Sequence, residues 1–436
     1  MMQTIDLRGT VLSAAELRDR MPRASIDLSA ASAAATQLVE AVRTGGEAAL
    51  RAQADRFDGG APASLRVDAA EIAAAVTALQ PEIREALEAA IARVRAASRA
   101  QIPTASVTTF GDGAVVEQRW QPVGRAGLYV PGGKAVYPSS VVMNVVAAQE
   151  AGVGSIAVVS PPQRAFGGQV HPVVLGALGL LGVTEVYAIG GAGAIAALAY
   201  GVPELGLEPV DVITGPGNPY VAAAKQLVQG TVGIDAVAGA TEVLVIADAS
   251  ANAGWVAADL ISQAEHDEQA GAVLVTDSET LAETVRAEIA ARLPKTDNHE
   301  RATIALSGPQ SAVVLVDDLA AAARVSDAYA PEHLELHVAD TETLLAQISN
   351  AGAIFVGAYA PVSLGDYLAG SNHVLPTGGQ ARFSSGLGAY SFLRAQQIIR
   401  YDEAGLRDVA DRVVALSRAE ALPAHGEAVQ ARFEQH

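Results

Sequence analysis

Apolar positions recur along the chain in two different periods. Ala34 to Thr44, Ala69 to Ala78 and Pro81 to Arg99 are Ala-rich with apolar residues three and four apart, which predicts helices through residues 13 to 100. Val115 to Val130 alternates and is rich in β-branched residues, which predicts strands. From Tyr129 onward, a short apolar run, a Gly/Pro turn and a helical stretch follow one another. Ser155 to Val159 ends in Ser160-Pro161-Pro162, and Glu185 to Ile189 ends in Gly190-Gly191 before a helical Ala192 to Tyr200. Val210 to Thr214 ends in Gly215-Pro216-Gly217-Asn218 before a helical Tyr220 to Val228. This succession predicts a parallel α/β layer with right-handed crossovers. A second such run has strands at Glu242 to Ala247, Ala272 to Thr276 and Ala312 to Val316, continued near His333 to Val338 and Ala353 to Phe355. Its helices are Trp255 to Glu265 and Ser278 to Arg292, and Pro294 to Arg301 reads as an exposed turn. After Leu387 the pattern returns to helix, with Ala404 to Glu420 amphipathic.

Composition narrows this picture. The 436 residues leave room for two to four domains at roughly 100–200 residues each. Hydrophobic residues are 50% of the chain but aromatics only 4%, so the core is built from Ala, Val, Leu and Ile, as suits helices laid on parallel sheets. A net charge of −19 argues against nucleic-acid or anionic-membrane partners, whose own charge the protein's field would repel. There is no cysteine, which excludes a disulfide framework, a thiolate nucleophile, an iron–sulfur cluster and a Cys-bound zinc. Any metal must be held by His, Asp, Glu or Gln. The N-terminus carries an acidic residue at Asp6 and no apolar h-region, so it does not read as a secretory signal. Apolar stretches such as Val173 to Val183 are too short to cross about 30 Å of hydrocarbon, and a cytoplasmic location is expected.

Three Gly-rich turns are candidates for ligand binding. Gly190, Gly191 and Gly193 follow a strand and open a helix, where free N–H groups take a phosphate, but a tight βα connection explains them equally. Asn218 either caps the following helix or presents its amide to a ligand. Gly127 to Gly133 has the same ambiguity, with Tyr129 placed to cover a flat ring. The histidines divide into two groups. His171, His299 and His436 read as surface residues and His337 as a core histidine of an alternating strand. His266, His333, His373 and His425 stand beside polar residues in otherwise apolar or Gly-rich segments. Gln263 and His266 are three apart on one helical face, and Glu332 beside His333 at a strand entry has the make-up of an acid–base pair. Asp366 and His373 lie in a Gly-rich run, Gly365 to Gly379, that is costly to order as a loop without a ligand. Gln263, His266, Asp366 and His425 together form an all-N/O set suited to zinc, although spacing alone does not show that they converge.

These segments resemble the histidinol dehydrogenase family. The matching stretches are GLYVPGGKAVYPSSVVMN (127–144), Gly215 to Asn218, Asp235 to Asp248, DLISQAEH (259–266), APEHLEL (330–336), GDYLAGSNHVLPT (365–377) and Ala419 to His425, in family order over nearly the whole chain. The resemblance implies a four-electron oxidation of L-histidinol to L-histidine through the aldehyde, with two NAD⁺ used in succession. It implies Glu332 and His333 as the acid–base pair and Gln263, His266, Asp366 and His425 as ligands of one zinc per subunit, which anchors the substrate. Thr241, His373 and Glu420 match further substrate contacts, and Tyr129, Asn218 and the position of Gly193 match cofactor contacts. The implied fold is two Rossmann-like α/β domains in an intertwined homodimer, where Glu420 and His425 reach the partner's site. Its divisions would be an N-terminal arm (1–24), a metal-bearing domain (25–128 and 243–386), a cofactor domain (129–242) and a C-terminal tail (387–436). Two positions depart from the family: Gly193 stands where Gln is usual, and Ala240-Thr241 where Pro-Ser is common. Losing that Gln amide removes a hydrogen-bond partner, worth on the order of 0.5–1.5 kcal/mol. Three alternatives remain at this level: a paralogue oxidising another small amino alcohol or polyol, a zinc hydrolase with Glu332 as base, and a non-catalytic binding protein.

Overall fold

The computed structural model describes residues 2–24, 28–58, 60–132, 136–237 and 239–434. Gly133, Ala238 and His436, each part of an expectation above, lie outside the described residues.

Two parallel sheets organise the chain. The five-stranded sheet runs in the order Val186–Ala188, Ser155–Ser160, Arg125–Tyr129, Val212–Thr214, Gly233–Ile234. The six-stranded sheet runs Gln3–Asp6, Ala312–Leu315, Gly271–Thr276, Glu242–Ala247, His333–His337, Ala353–Val356. The central strands are apolar at nearly every position because helices cover both sheet faces. One face of the five-stranded sheet carries helices Ala69–Ala78, Pro81–Ala100, Pro138–Glu150 and Pro172–Leu180. The other carries Leu28–Gln53, Gly191–Tyr200 and Pro219–Val228. The six-stranded sheet is covered by Ala253–Ala264, Glu279–Arg292 and His299–Ser307 on one side, and by Ala14–Arg20 and Leu319–Tyr329 on the other.

Four features differ from the sequence reading. Helices 28–100 pack on the five-stranded sheet, whereas the sequence division joined residues 25–128 to the other layer; their apolar stripes find partners through contacts distant in sequence. The N-terminal arm contributes Gln3–Asp6 as a parallel edge strand beside Ala312–Leu315. His299–Ser307 is a helix where an exposed turn was expected. Past Leu387, a nine-residue strand, Leu393–Tyr401, pairs antiparallel with Ala114–Pro122 before the C-terminal helices Glu403–Ala419 and Pro423–Gln430. Together with Ser106–Gly111 it forms a third sheet. Among the described residues, no helix is long and apolar enough to cross a membrane.

Candidate active site and cofactor cleft

The acid–base pair sits at the amino-terminal edge of the six-stranded sheet. The helix Leu319–Tyr329 stops at Ala330, whose left-handed backbone (φ 50°) turns the chain into Pro331 and the strand His333–His337. An alanine held there is a strained conformation of the kind found at functional positions. Glu332 and His333 are both buried. Glu332 Oε2 accepts from Thr241 Oγ1 at 2.7 Å and from the Glu242 N–H at 3.0 Å. His333 Nδ1 lies 3.1 Å from the Glu242 carbonyl. A carbonyl only accepts, so Nδ1 carries the proton and Nε2 is left as a base. Burial holds this imidazole neutral, pushing its pKa down to about 4. It pushes the Glu332 carboxyl up to about 8 against the two hydrogen bonds, with further upward contributions from Glu242 and Asp366.

Three of the four expected metal ligands meet beside this pair. Gln263 ends the helix Ala253–Ala264 and is 1% exposed. Its Nε2 donates to Thr241 Oγ1 at 2.8 Å, while its Oε1 is buried with no hydrogen-bond partner. His266 follows just past the helix end, its Nε2 3.9 Å from Asp366 Oδ2. Asp366 lies on a short helix, Val362–Tyr367, rather than in the loop expected from its glycines. Gly365 lets that helix approach the Phe355 ring, which a Cβ would meet at 2.6 Å. His373 donates from Nδ1 to the Asp366 carbonyl at 3.0 Å, and its Nε2 lies 3.3 Å from Ser140 Oγ. An orphaned, buried amide oxygen beside an imidazole and a carboxylate is what an N/O-bound divalent cation requires. The fourth expected ligand is elsewhere: His425 and Glu420 are exposed in the C-terminal helical region and are not gathered with the others within this chain.

A separate cleft of about 720 Å³ opens beside the five-stranded sheet, lined among others by Tyr129, Gly190, Gly191, Asn218, Gln53 and Asp58. It lies at the carboxyl ends of the strands, near the point where strand order reverses between Arg125–Tyr129 and Val212–Thr214. The Tyr129 hydroxyl accepts from the Gly191 N–H at 3.4 Å, and burial raises its pKa to about 12. Asn218 caps its helix, its Oδ1 accepting from Tyr220 and Val221 N–H. Gly193 is buried and does not line the cleft. A Cβ there would meet Gln53 Oε1 at 2.4 Å, so the space a side chain would use belongs to Gln53. Gln53 Nε2 is itself fixed on the Leu38 carbonyl at 3.0 Å.

Sequence reading missed Gln53, Ser140 and Arg23. The first two approach through tertiary packing alone. Arg23 forms a two-point pair with buried Glu242, to which Tyr329 also donates, and so anchors the backbone beside Thr241 and Glu332. His171 is half-buried rather than a free surface residue and caps the helix Pro172–Leu180, whereas His299 is exposed as expected.

A histidinol dehydrogenase family model matches residues 21–433. Histidinol dehydrogenase from Leifsonia xyli subsp. xyli is 68% identical over 434 residues, covering all of both chains. That from Corynebacterium diphtheriae is 54% identical, covering 100% of this chain and 98% of the relative. Among solved structures, histidinol dehydrogenase from Elizabethkingia anophelis superposes with a TM-score of 0.92 at 32% identity, covering 99% of this chain and 98% of that one.

Proposed function

The chain belongs to the histidinol dehydrogenase family and oxidises histidinol in histidine biosynthesis, and we propose how its own residues divide that work. NAD⁺, when bound, accepts the hydride of each of two successive oxidations, and a zinc ion, when bound, grips the imidazole and amine of the substrate. The cleft beside Tyr129, Gly191 and Asn218 is the proposed NAD⁺ site. Gln263, His266 and Asp366 are the proposed zinc ligands, completed by His425 of a second subunit in a homodimer, with Glu420 beside it on the substrate. The buried, unpartnered Gln263 Oε1 is the observation that carries the metal assignment.

In this reading His333 Nε2 takes the alcohol proton as hydride leaves, and after the aldehyde is hydrated it takes the hydroxyl proton of the hydrate. Glu332, once ionised, removes a proton from the water that adds to the aldehyde. Thr241 orients Glu332 by donating to it and receives Gln263 in return. His373, held by Asp366 and Ser140, takes a polar group of the substrate. Gln53 supplies the side-chain amide over Gly193, so the cleft keeps a hydrogen-bonding group at that wall without one at position 193. The two layers accordingly act as a cofactor unit and a metal unit, and the enzyme is read as cytoplasmic.

The deciding measurement is NADH formed per histidinol consumed with the zinc-loaded protein. A yield near two is expected for the four-electron route. A yield near one would make the chain a simple alcohol dehydrogenase and overturn the Glu332 assignment.

A further inference from the structure

The strand His333–His337 presents alternate side chains to one face, so Glu335 and His337 follow His333 on the same side. There they meet Asp259, which lies four residues before Gln263 on the helix Ala253–Ala264. One ligand-type atom from each of the three lies within 4.8 Å of the other two. His337 Nε2 is 3.5 Å from Glu335 Oε2 and 3.6 Å from Asp259 Oδ2, too far for good hydrogen bonds. Donor atoms around a tetrahedral ion with bonds of about 2.0–2.1 Å sit roughly 3.4 Å apart, close to this spacing. The Glu335 side chain is 0% and that of His337 5% exposed, and Glu335 Oε2 and His337 Nε2 are both buried without a hydrogen-bond partner. The other Glu335 oxygen is occupied, accepting from the Val362 N–H at 2.8 Å.

Two neighbouring carboxylates in such burial demand positive charge. Among the described residues, the only basic side chain paired with either is His337. Burial and the neighbouring Glu335 raise the Asp259 carboxyl to about 7, another sign that the cluster lacks a cation. From this geometry we propose that Asp259, Glu335 and His337 form a second site for a divalent transition-metal ion, distinct from the Gln263, His266 and Asp366 set. A doubly charged ion with neutral imidazole balances the two carboxylates, and a donor set of one nitrogen and two oxygens suits Zn²⁺ or Mn²⁺. The Asp259 side chain, 14% exposed, leaves an entry side and a coordination position for water. Such an ion would tie together the helix bearing Gln263, the strand that opens with His333 and, through Glu335 and Val362, the helix bearing Asp366.

The test is metal content by mass spectrometry after apo full-length protein is dialysed against Zn²⁺ and freed of excess. About two ions per chain are expected for the wild type, and about one each for His337→Ala and His266→Ala. The His266→Ala protein isolates the second site: its remaining ion should disappear when His337→Ala or the shape-conserving Asp259→Asn is added. Zn²⁺ should also raise the melting temperature of His266→Ala but not of the double variant. If His266→Ala binds no ion, or keeps its ion after both Asp259→Asn and His337→Ala, the second site is refuted. If His266→Ala retains an ion that His337→Ala removes, the second site stands whatever becomes of the first.

Discussion

The hydroxyl of Thr241 donates to Glu332 and accepts from Gln263, so one small side chain joins the acid–base pair to the metal ligands. Thr241→Val keeps the shape and removes both bonds, leaving the buried Gln263 amide unpaired at a cost of about 1–3 kcal/mol. Thermal or denaturant unfolding should register that loss, and Thr241→Ser should restore most of it. The two catalytic groups also make opposite predictions about pH. Glu332 works as a base only when ionised, and its pKa lies above the ordinary 4.5 and as high as about 8. Aldehyde oxidation should therefore rise with pH along a limb within that interval, nearer its lower end the more strongly a bound cation favours the carboxylate. His333, neutral above about 4, adds no limb of its own in that interval. Glu332→Gln should abolish the limb and slow the aldehyde half-reaction by about 10²–10⁴-fold. At this scale the sequence was informative where a polar residue interrupts an apolar segment, as at Gln263 or His333. It was silent on His337, whose strand pattern is that of any core histidine until Asp259 arrives from another element.

Asp366 reaches the site because a six-residue helix packs its Gly365 against Phe355. Gly365→Ala places a methyl 2.6 Å from the ring and should cost about 1–3 kcal/mol through overpacking. A calorimetric melt would measure that cost, and a fall in zinc content would show that Asp366 moved with the helix. The cofactor side has its counterpart in Gln53, carried to the cleft by the end of the long helix Leu28–Gln53. Gln53→Ala should raise the KM for NAD⁺ about threefold to tenfold, as expected for one lost hydrogen bond, with kcat nearly unchanged. Gly193→Ala, by displacing Gln53, should have the same effect. An increase in neither variant would remove Gln53 from the cofactor site.

At the scale of the whole molecule, the site gathers residues from five separated segments at the sheet's amino-terminal edge, yet lacks His425 and Glu420. If those come from a second subunit, His425→Asn and His333→Asn proteins should each be inactive, and mixed dimers should regain activity at the sites where both natural residues meet. Absence of rescue in mixed dimers verified by mass would rule out the shared site. The sequence by itself determined the kinds of element and their order, because helical and strand periods are written in neighbouring residues. It also determined the chemical class of the site, because the absence of cysteine left only nitrogen and oxygen donors. Only the tertiary structure decided which sheet helices 28–100 cover, that Gln3–Asp6 and Leu393–Tyr401 are strands, and that Gln53 fills the space above Gly193. It alone decided the opposed proton affinities of Glu332 and His333, and the meeting of Asp259 with Glu335 and His337. Packing, burial and desolvation are sums over atoms far apart in the chain, and no local pattern contains them.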